Sequence, residues 1–581
     1  MNNVPLPGAY NPNPLNPSSA AEPASQPNAA TANPATNIDA GAPVVKSKSE
    51  SAAPFLDVPR FLQFVADKIR QAFSGQGAQP GAPVGGSSAP SYADGKTSGS
   101  RPQVRDFSAE IDDGKLIVRW IKNDEEMGAL AEWLATSPPG LVKLDLEDWP
   151  LDEAGLTRLL TALKGNRLVT SLVIALDENS PAGMVGLVAA LKENATLSSV
   201  QVTGATIDED DAMRLASVLK HNTTLTALSL AGSRIGDAGV GQLATALKSN
   251  AVLTSLVLAD EGIGADGVAS LADMLKSNKT LETLVIMDAH IGDAGAACLA
   301  EGLKENTALT SLYLLNPHFG DAGVASIAEV LKFQKTLTSL ELSHNAIGDP
   351  GAAMLAQMLT FNKTIRALSL ANNQIADKGA REIATALMNN AVLKRLRLGG
   401  NQIGDAGAEA LAKALQVNVT LENLGLAQYF KNFPAGLLPI TSVGLAALAH
   451  MLRSNKSLTS LDLGFIERCS GADANALSEA VKMNETLTSF AVNFDVETKT
   501  DVEASKKAKE AIARIVQRNW ECRLIAEGGA ALQIASGEQY PADVMSLIAE
   551  QLAALPAAQK GAGLSTLQEL GASIKSLPRA Y

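Results

Sequence analysis

The stretch NQIGDAGAEALAKALQVNVTLENLGL at residues 401–426 returns twice in closely similar form. Residues 345–370 have NAIGDPGAAMLAQMLTFNKTIRALSL, and residues 233–258 have SRIGDAGVGQLATALKSNAVLTSLVL. Aligned on the residue that opens L-x-x-L-x-L, eleven consecutive openers lie 28 residues apart, and looser copies open at Leu458 and Leu487. The openers are Leu141, Val169, Leu197, Leu225, Leu253, Leu281, Leu309, Leu337, Ile365, Leu393 and Leu421. A fixed period of this length indicates a stack of repeats.

Each unit has two halves with different periods. In the unit 225–252, Leu228 and Leu230 alternate with small or polar residues, which predicts a short strand. Val240 and Leu243 begin a helical spacing that continues to the end of the unit. One unit cannot fold alone, because ordering its backbone costs about 1–2 kcal/mol per residue. Stacking therefore predicts an α/β solenoid, a horseshoe with parallel strands on the concave face and helices on the convex face.

Three polar or small positions recur with the leucines. We expect Asp237, which precedes the helix, to cap the free amides at the helix start. Gly239 lies in the first helical turn, and we infer that the backbone of the next unit passes too close for a Cβ atom. Asn250 ends the helix, where asparagine tolerates the left-handed conformation. An asparagine after the strand is kept only at Asn345, Asn373 and Asn401, so we expect less regular turns in the earlier repeats.

The consensus L-x-x-L-x-L-x-x-N-x-I-G-D-x-G-x-x-x-L-A-x-x-L-x-x-N resembles the leucine-rich repeat of the ribonuclease-inhibitor type. That type also occurs in NOD-like receptors and in Ran GTPase-activating proteins. The resemblance covers about residues 141–520 and implies a leucine-rich-repeat solenoid; the motif is specific for fold and not for function. The segments GAACLA (295–300) and GAEALA (407–412) are also similar to bacterial GALA-type leucine-rich effectors, whose repeats are shorter.

The N-terminal part has a different composition. Residues 1–50 contain nine prolines, eight asparagines and ten alanines, and we predict that 1–102 is a disordered leader and linker. A short helix is predicted at 55–73, which either docks on the main domain or binds a partner or chaperone. The composition resembles the secretion leader of bacterial type III effectors. This resemblance implies secretion from a bacterium into the host cell cytoplasm; without such a leader, a cytoplasmic location is expected.

The remaining chain divides into three predicted parts. Residues 103–140 form an N-terminal cap, 141–495 hold about 13 repeat units, and 496–581 form a C-terminal helical cap. Within the last part, YPADVMSLIAEQLAAL (540–555) faintly resembles an F-box, although a capping helix pair is the preferred interpretation.

Composition argues against several kinds of partner and site. The net charge of −13 is spread along the chain without a dense basic run, so we expect no nucleic-acid partner. No window of 18 apolar residues occurs, so neither a membrane span nor a membrane partner is expected. The three cysteines lie far apart, and no glycine-rich phosphate loop is present. His290 and His318 share one offset within the repeat and His344 has another, and none has a second ligand at short spacing, so we interpret them as turn residues. We expect no metal, no cofactor and no enzymatic activity.

The candidate binding surface is the outer face of the sheet. Residues two, four and six past each opener should point outward there, and most of them are small. An exposed apolar strip is predicted from Val257, Val285, Met287, Tyr313 and Leu315. Glu341 adds acid beside the strip, and Arg395 with Arg397 adds a cationic spot. Aromatic residues and arginine dominate the energetics of many protein interfaces, so a protein partner is expected.

A second candidate is an insertion in the unit that opens at Leu421. This unit is nine residues too long, and the excess lies within QYFKNFPAGLLPITS at 428–442. Insertions in a repeat map to loops, often at the binding rim. Tyr429, Phe430 and Phe433 could therefore contact a partner, or they could pack against the edge of the solenoid.

The sequence favours a non-enzymatic, monomeric binding module, a secreted effector that captures a host protein. The alternative is a GTPase-activating or ubiquitin-ligase adaptor protein on the same scaffold. A Ran-type activator completes the site of its partner, sometimes with an arginine such as Arg234.

Overall fold

The structure is a computed structural model that describes 111–112, 115–117, 124–135, 143–146, 153–176, 181–259, 262–428, 440–496 and 498–536. All of these residues lie in the larger of two units into which the chain divides, Ala82–Tyr581. The predicted leader with its helix at 55–73 and the F-box-like segment fall outside the described residues.

The described residues form one 15-stranded sheet whose strands follow each other in chain order. The first two strands pair antiparallel, and every later neighbour pairs parallel. The strands are β1 Ile111–Asp112, β2 Lys115–Ile117, β3 Lys143–Leu146, β4 Ser171–Ala175, β5 Ser199–Thr203, β6 Ala227–Ala231, β7 Ser255–Ala259, β8 Thr283–Met287, β9 Ser311–Leu315, β10 Ser339–Glu341, β11 Ala367–Ser369, β12 Arg395–Arg397, β13 Asn423–Gln428, β14 Ser460–Ile466 and β15 Ser489–Phe494.

A helix follows each strand from β2 onward and returns the chain for the next parallel strand. The helices are α1 Asp124–Ala135, α2 Glu153–Gly165, α3 Pro181–Glu193, α4 Glu209–Leu219, α5 Gly236–Leu247, α6 Ala265–Ser277, α7 Gly292–Glu305, α8 Asp321–Leu331, α9 Asp349–Phe361, α10 Asp377–Asn389, α11 Asp405–Val417, α12 Ser442–Leu452, α13 Gly471–Met483 and α14 Lys499–Ser536. This alternation confirms the predicted α/β leucine-rich-repeat solenoid.

One continuous apolar core runs between the sheet and the helices. The strand leucines Leu228 and Leu230 and the helix residues Val240 and Leu243 are at most 1% exposed. Equivalent residues of each repeat extend the same cluster from Met127 in α1 to Ile515 in α14. No repeat has a closed core of its own, so each one depends on its neighbours for burial.

The recurring aspartate binds the next repeat and does not cap its own helix. Asp237 Oδ1 accepts hydrogen bonds from the backbone amides of Gly264 at 2.7 Å and Gly267 at 2.9 Å. The prediction of a local cap was therefore wrong. The same pair of bonds recurs at Asp293, Asp321, Asp349, Asp377 and Asp405.

This aspartate influences where the following helix begins. Ala265 occupies the aspartate position before α7. There the first helical residue is Gly292, with φ at +56°, and its amide donates to the carbonyl of Pro317 instead. Where aspartate is present, as at Asp321, it accepts a hydrogen bond from the amide of the residue before the next helix. That residue, Gly348, then has an extended conformation. The start of each helix is thus set partly by the repeat before it.

The first helical turn contains a glycine because nearby side chains, mainly those of the preceding repeat, leave no room for a Cβ atom. A Cβ on Gly351 would lie 2.6 Å from Asp321 Oδ1 and 2.8 Å from Ile347 Cγ2. The inference of a close backbone in the next unit was wrong at this position. A close backbone does occur deeper in α7, where a Cβ on Gly302 would lie 2.6 Å from the carbonyl oxygen of Ala272.

The asparagine after each helix forms a buried ladder and is not left-handed. Asn278 has φ −68° and ψ 132°, an extended conformation, so the predicted left-handed end was wrong. Its Nδ2 donates to the carbonyl of Leu247 at 2.7 Å, and its Oδ1 accepts from the amides of Thr280 and Leu281. One side chain therefore joins two repeats and also closes the turn that leads into the next strand.

The turn after the strand is kept even where the second asparagine is missing. The residue seven past the opener has positive φ in early and late repeats alike, as at Gly204, Gly232, Asn316 and Asn372. Ser233 replaces the asparagine in one early repeat, and its hydroxyl donates to the carbonyl of Leu230 at 2.6 Å. The expected loss of regularity is therefore not seen at this position.

The last described helix joins the core of the stack. Ala508, Ile512 and Ile515 of α14 belong to the shared cluster, and Asn519 Nδ2 donates to the carbonyls of Asn484 and Leu487. The division of the chain into leader, two caps and repeats at 102, 140 and 495 stays a prediction.

Candidate functional site

The predicted binding residues share the outer face of the sheet and lie in adjacent rows. Val257 pairs in register with Val285, which pairs with Tyr313 on the next strand. Two residues further along the same strands, Met287 pairs in register with Leu315. These side chains alternate with the core leucines and isoleucines, so strand periodicity places them on one surface, outside the core cluster.

The apolar strip is less exposed than the sequence predicts. Val257, Val285, Met287 and Leu315 are 2%, 5%, 3% and 7% exposed, while Tyr313 is half-buried. The prediction of an open apolar patch is therefore wrong for the four aliphatic side chains. Within the strip, Tyr313 is the side chain with substantial access to solvent.

Beside the strip, a polar cluster surrounds Glu341. The amide of Ser343 donates to Glu341 Oε1 at 3.0 Å, and the Ser343 hydroxyl donates to the same oxygen. The hydroxyls of Ser343 and Ser369 lie 3.0 Å apart. Burial raises the pKa of Glu341, and these hydrogen bonds and the positive charge of Arg397 act in the opposite direction. Neither serine could be singled out from the sequence, because small residues occupy most positions on the outer face.

The cationic spot lies two strands beyond Glu341. Arg395 and Arg397 are exposed on β12, and Arg397 is in register with Ser369. Neither guanidinium forms a salt bridge within the described part of the chain. Tyr313, Glu341, Ser369 and Arg397 thus occupy one row across four neighbouring strands. The row combines an aromatic ring, a carboxyl, a hydroxyl and a guanidinium that is open to solvent.

The insertion does not break the aspartate hydrogen bonds between the repeats on either side of it. Asp405 Oδ1 accepts from the amides of Thr441 and Gly444, 36 and 39 residues further on, instead of 27 and 30 as in other repeats. The nine additional residues between β13 and α12 therefore do not interrupt the aspartate bonds between repeats. Tyr429, Phe430 and Phe433 lie outside the described residues, so their role stays a prediction.

His290, His318, His344 and Cys469 show ordinary packing. The rings of His290 and His318 stack with centroids 4.7 Å apart, and Asn372 Nδ2 lies 2.9 Å from His344 Nε2. Burial lowers the pKa of His344 and raises the pKa of the Cys469 thiol to about 12. Among the described residues no cluster of His, Cys, Asp and Glu could hold a metal ion. No described helix has the length and hydropathy needed to cross a bilayer.

Comparison with known proteins identifies the repeat. A family model described as Leucine Rich repeat matches residues 221–244, 277–300, 334–356, 361–384 and 389–412. No curated protein matches the chain. The chain therefore contains leucine-rich repeats, a scaffold typical of protein–protein interaction modules.

Several solved structures resemble parts of the chain. Actin-binding site 2 of leiomodin-1 is 20% identical over 31% of this chain and 96% of its own, with a TM-score of 0.25. A chain of the yeast Rad7 and Elc1 complex is 17% identical over 65% of this chain and 87% of its own, with a TM-score of 0.37. An internalin from Listeria monocytogenes str. 4b F2365 is 19% identical over 60% and 87%, with a TM-score of 0.34.

Proposed function

We propose that this protein is a non-enzymatic binding module that captures a protein through the outer face of its sheet. The row from Tyr313 to Arg397, together with Arg395, carries the proposal. Arginine and tyrosine contribute most of the free energy in many interfaces, and both arginines are exposed without a salt bridge among the described residues. The buried apolar strip supplies a rigid floor beside them.

Capture of proteins by the immobilised full chain tests this proposal. We expect Arg395→Ala with Arg397→Ala to weaken binding of a captured protein about tenfold or more, because interface arginines often contribute over 1 kcal/mol each. Arg381→Ala is the matched control, since Arg381 is an exposed arginine on helix α10. Equal loss in the control and the double variant would contradict a binding role for the sheet face.

A second pair of substitutions tests the other end of the row. Tyr313→Ala with Leu315→Ala should also reduce capture, and capture that is unchanged would exclude this end from the interface. If the main captured protein is a small GTPase or a ubiquitin-ligase subunit, the result favours a GTPase-activating or adaptor role on the same scaffold. Otherwise the protein acts by binding alone.

We further propose that the protein is a type III secreted effector whose partner is a host protein. The composition of residues 1–50, poor in charge and rich in Pro, Asn and Ala, supports this. A reporter fused to residues 1–100 should leave a bacterium only when its type III apparatus is intact. Export from a strain without the apparatus would contradict the proposal.

A further inference from the structure

A stripe of exposed apolar side chains follows the ends of consecutive helices. Its members lie within two residues of the ladder position that closes each helix, which is Gln334, Asn362, Asn390 or Asn418. The stripe consists of Phe333, Phe361, Met388, Val417 and Val419, with exposed fractions of 71%, 54%, 47%, 59% and 79%. The rings of the two phenylalanines are 6.3 Å apart between centroids, so the stripe is continuous at that point.

The same position is polar in the earlier repeats. The residue before the ladder position is Glu193, His221, Ser249, Ser277 and Glu305 in successive units. It then becomes Phe333 and Phe361 in a chain with only 4% aromatic residues. None of the five stripe residues belongs to the core cluster. The core does not require them, so these side chains need another explanation.

Cations that lack salt bridges flank the stripe. Lys335, Lys363 and Arg366 are exposed and form no salt bridge among the described residues. Of the acids nearby, Glu329 and Glu422 are paired with Lys332 and Lys394, and Glu305, at the stripe position of the preceding repeat, is exposed. The three cations outnumber this acid, so the surface around the stripe carries an excess of positive charge in a chain whose net charge is −13.

We propose that this stripe is a peripheral contact for an anionic lipid surface. Protruding aromatic and aliphatic side chains can enter the headgroup region of a bilayer, and neighbouring lysine and arginine side chains attract anionic lipids. A second copy of the chain fits less well, because a symmetric contact would bring the same three cations together. The membrane contact is independent of the sheet face and leaves that face free for a protein partner.

This proposal reverses the expectation of no membrane partner. That expectation rested on the lack of a long apolar segment, which a bilayer span requires. A peripheral contact needs only a few exposed side chains from separate repeats. Phe333 and Phe361 lie one 28-residue period apart, so the stack places their rings side by side.

Sedimentation with phosphatidylcholine vesicles, with and without phosphatidylserine, tests the contact on the full chain. We expect the protein to bind vesicles that contain phosphatidylserine and to bind the neutral vesicles more weakly. Phe333→Ser with Phe361→Ser should lower binding to the anionic vesicles about tenfold or more. Lys335→Glu with Lys363→Glu should abolish the preference for phosphatidylserine. Serine occupies the same position at Ser249 and Ser277, so the first variant keeps a side chain that the fold tolerates.

Met213→Ser is the matched control, because Met213 is 49% exposed on α4, away from the stripe. It should bind vesicles as the wild type does. The proposal is overturned if the wild type binds neither kind of vesicle, or if the double serine variant binds as well as the control. A dimer seen by sedimentation equilibrium without vesicle binding would assign the stripe to a second copy of the chain.

Discussion

Asp377 illustrates how much one side chain contributes between repeats. Its Oδ1 accepts from the amides of Gly404 and Gly407, both at 2.8 Å. Asp377→Ala leaves both amides without this acceptor, which should cost about 1–3 kcal/mol in the free energy of unfolding. Asp377→Asn keeps an acceptor oxygen and should cost less. Chemical unfolding monitored by circular dichroism measures the difference.

The control for this prediction is Asp266→Ala. Asp266 is an exposed aspartate in the first turn of α6, one residue after Ala265, which occupies the position of the bonding aspartate in other repeats. Its loss should change stability by well under about 1 kcal/mol, since only the helix dipole is affected. Similar losses for Asp266→Ala and Asp377→Ala would mean that the bonds between repeats contribute little.

Glu341 makes stability depend on pH. Burial raises its pKa above the ordinary 4.5, so the folded protein holds this proton more tightly than the unfolded chain does. The associated stability is present below pH 4.5 and is lost as pH rises through the raised pKa. Glu341→Gln should therefore gain stability relative to the wild type as pH increases from 4.5. Chemical unfolding of both proteins across this pH range measures the difference, and a difference that does not change with pH would contradict the assignment.

At the scale of the elements, the backbones of α6 and α7 approach each other closely at Gly302. A Cβ on Gly302 would lie 2.6 Å from the Ala272 carbonyl oxygen and 2.7 Å from the Ala272 Cα, so one backbone must shift. Gly302→Ala should destabilise the protein by about 1–3 kcal/mol, the usual cost of overpacking. Gly165→Ala is the control, because a Cβ there meets no atom within 4 Å. Thermal unfolding that is equal for both variants would contradict this account of the helix contact.

The positions of the strands and helices could be predicted from the sequence because the residues that recur every 28 positions are also the buried ones. Leu228, Leu230 and Leu243 recur every 28 residues, and each is at most 1% exposed. The partners of Asp237 and Asn278 could not be predicted, because each binds backbone atoms roughly one repeat away and local rules for helix ends suggest a nearer partner. The burial of the apolar strip was missed for a related reason, since alternation gives the direction of a side chain but not what covers it.

For the whole molecule, constant register predicts which deletions the fold tolerates. Removing residues 365–392 deletes one complete period, after which β10 could pair with β12 in the register it now has with β11. We expect a soluble, cooperatively unfolding protein with a lower unfolding midpoint. Removing half a period, residues 365–378, should give an insoluble or unfolded chain because a strand would then meet a helix. Circular dichroism and gel filtration distinguish the two variants, and equal behaviour would contradict a stack held by register.

The aspartate bonds also give the solenoid a polarity. Each carboxylate belongs to one repeat, while the amides that it holds belong to the following one, as with Asp377 and Gly404. Damage at a single carboxylate should therefore loosen the downstream neighbour before the unit that carries it. Amide hydrogen exchange would then be fastest on the C-terminal side of the lesion, so that local opening would travel along the chain in one direction.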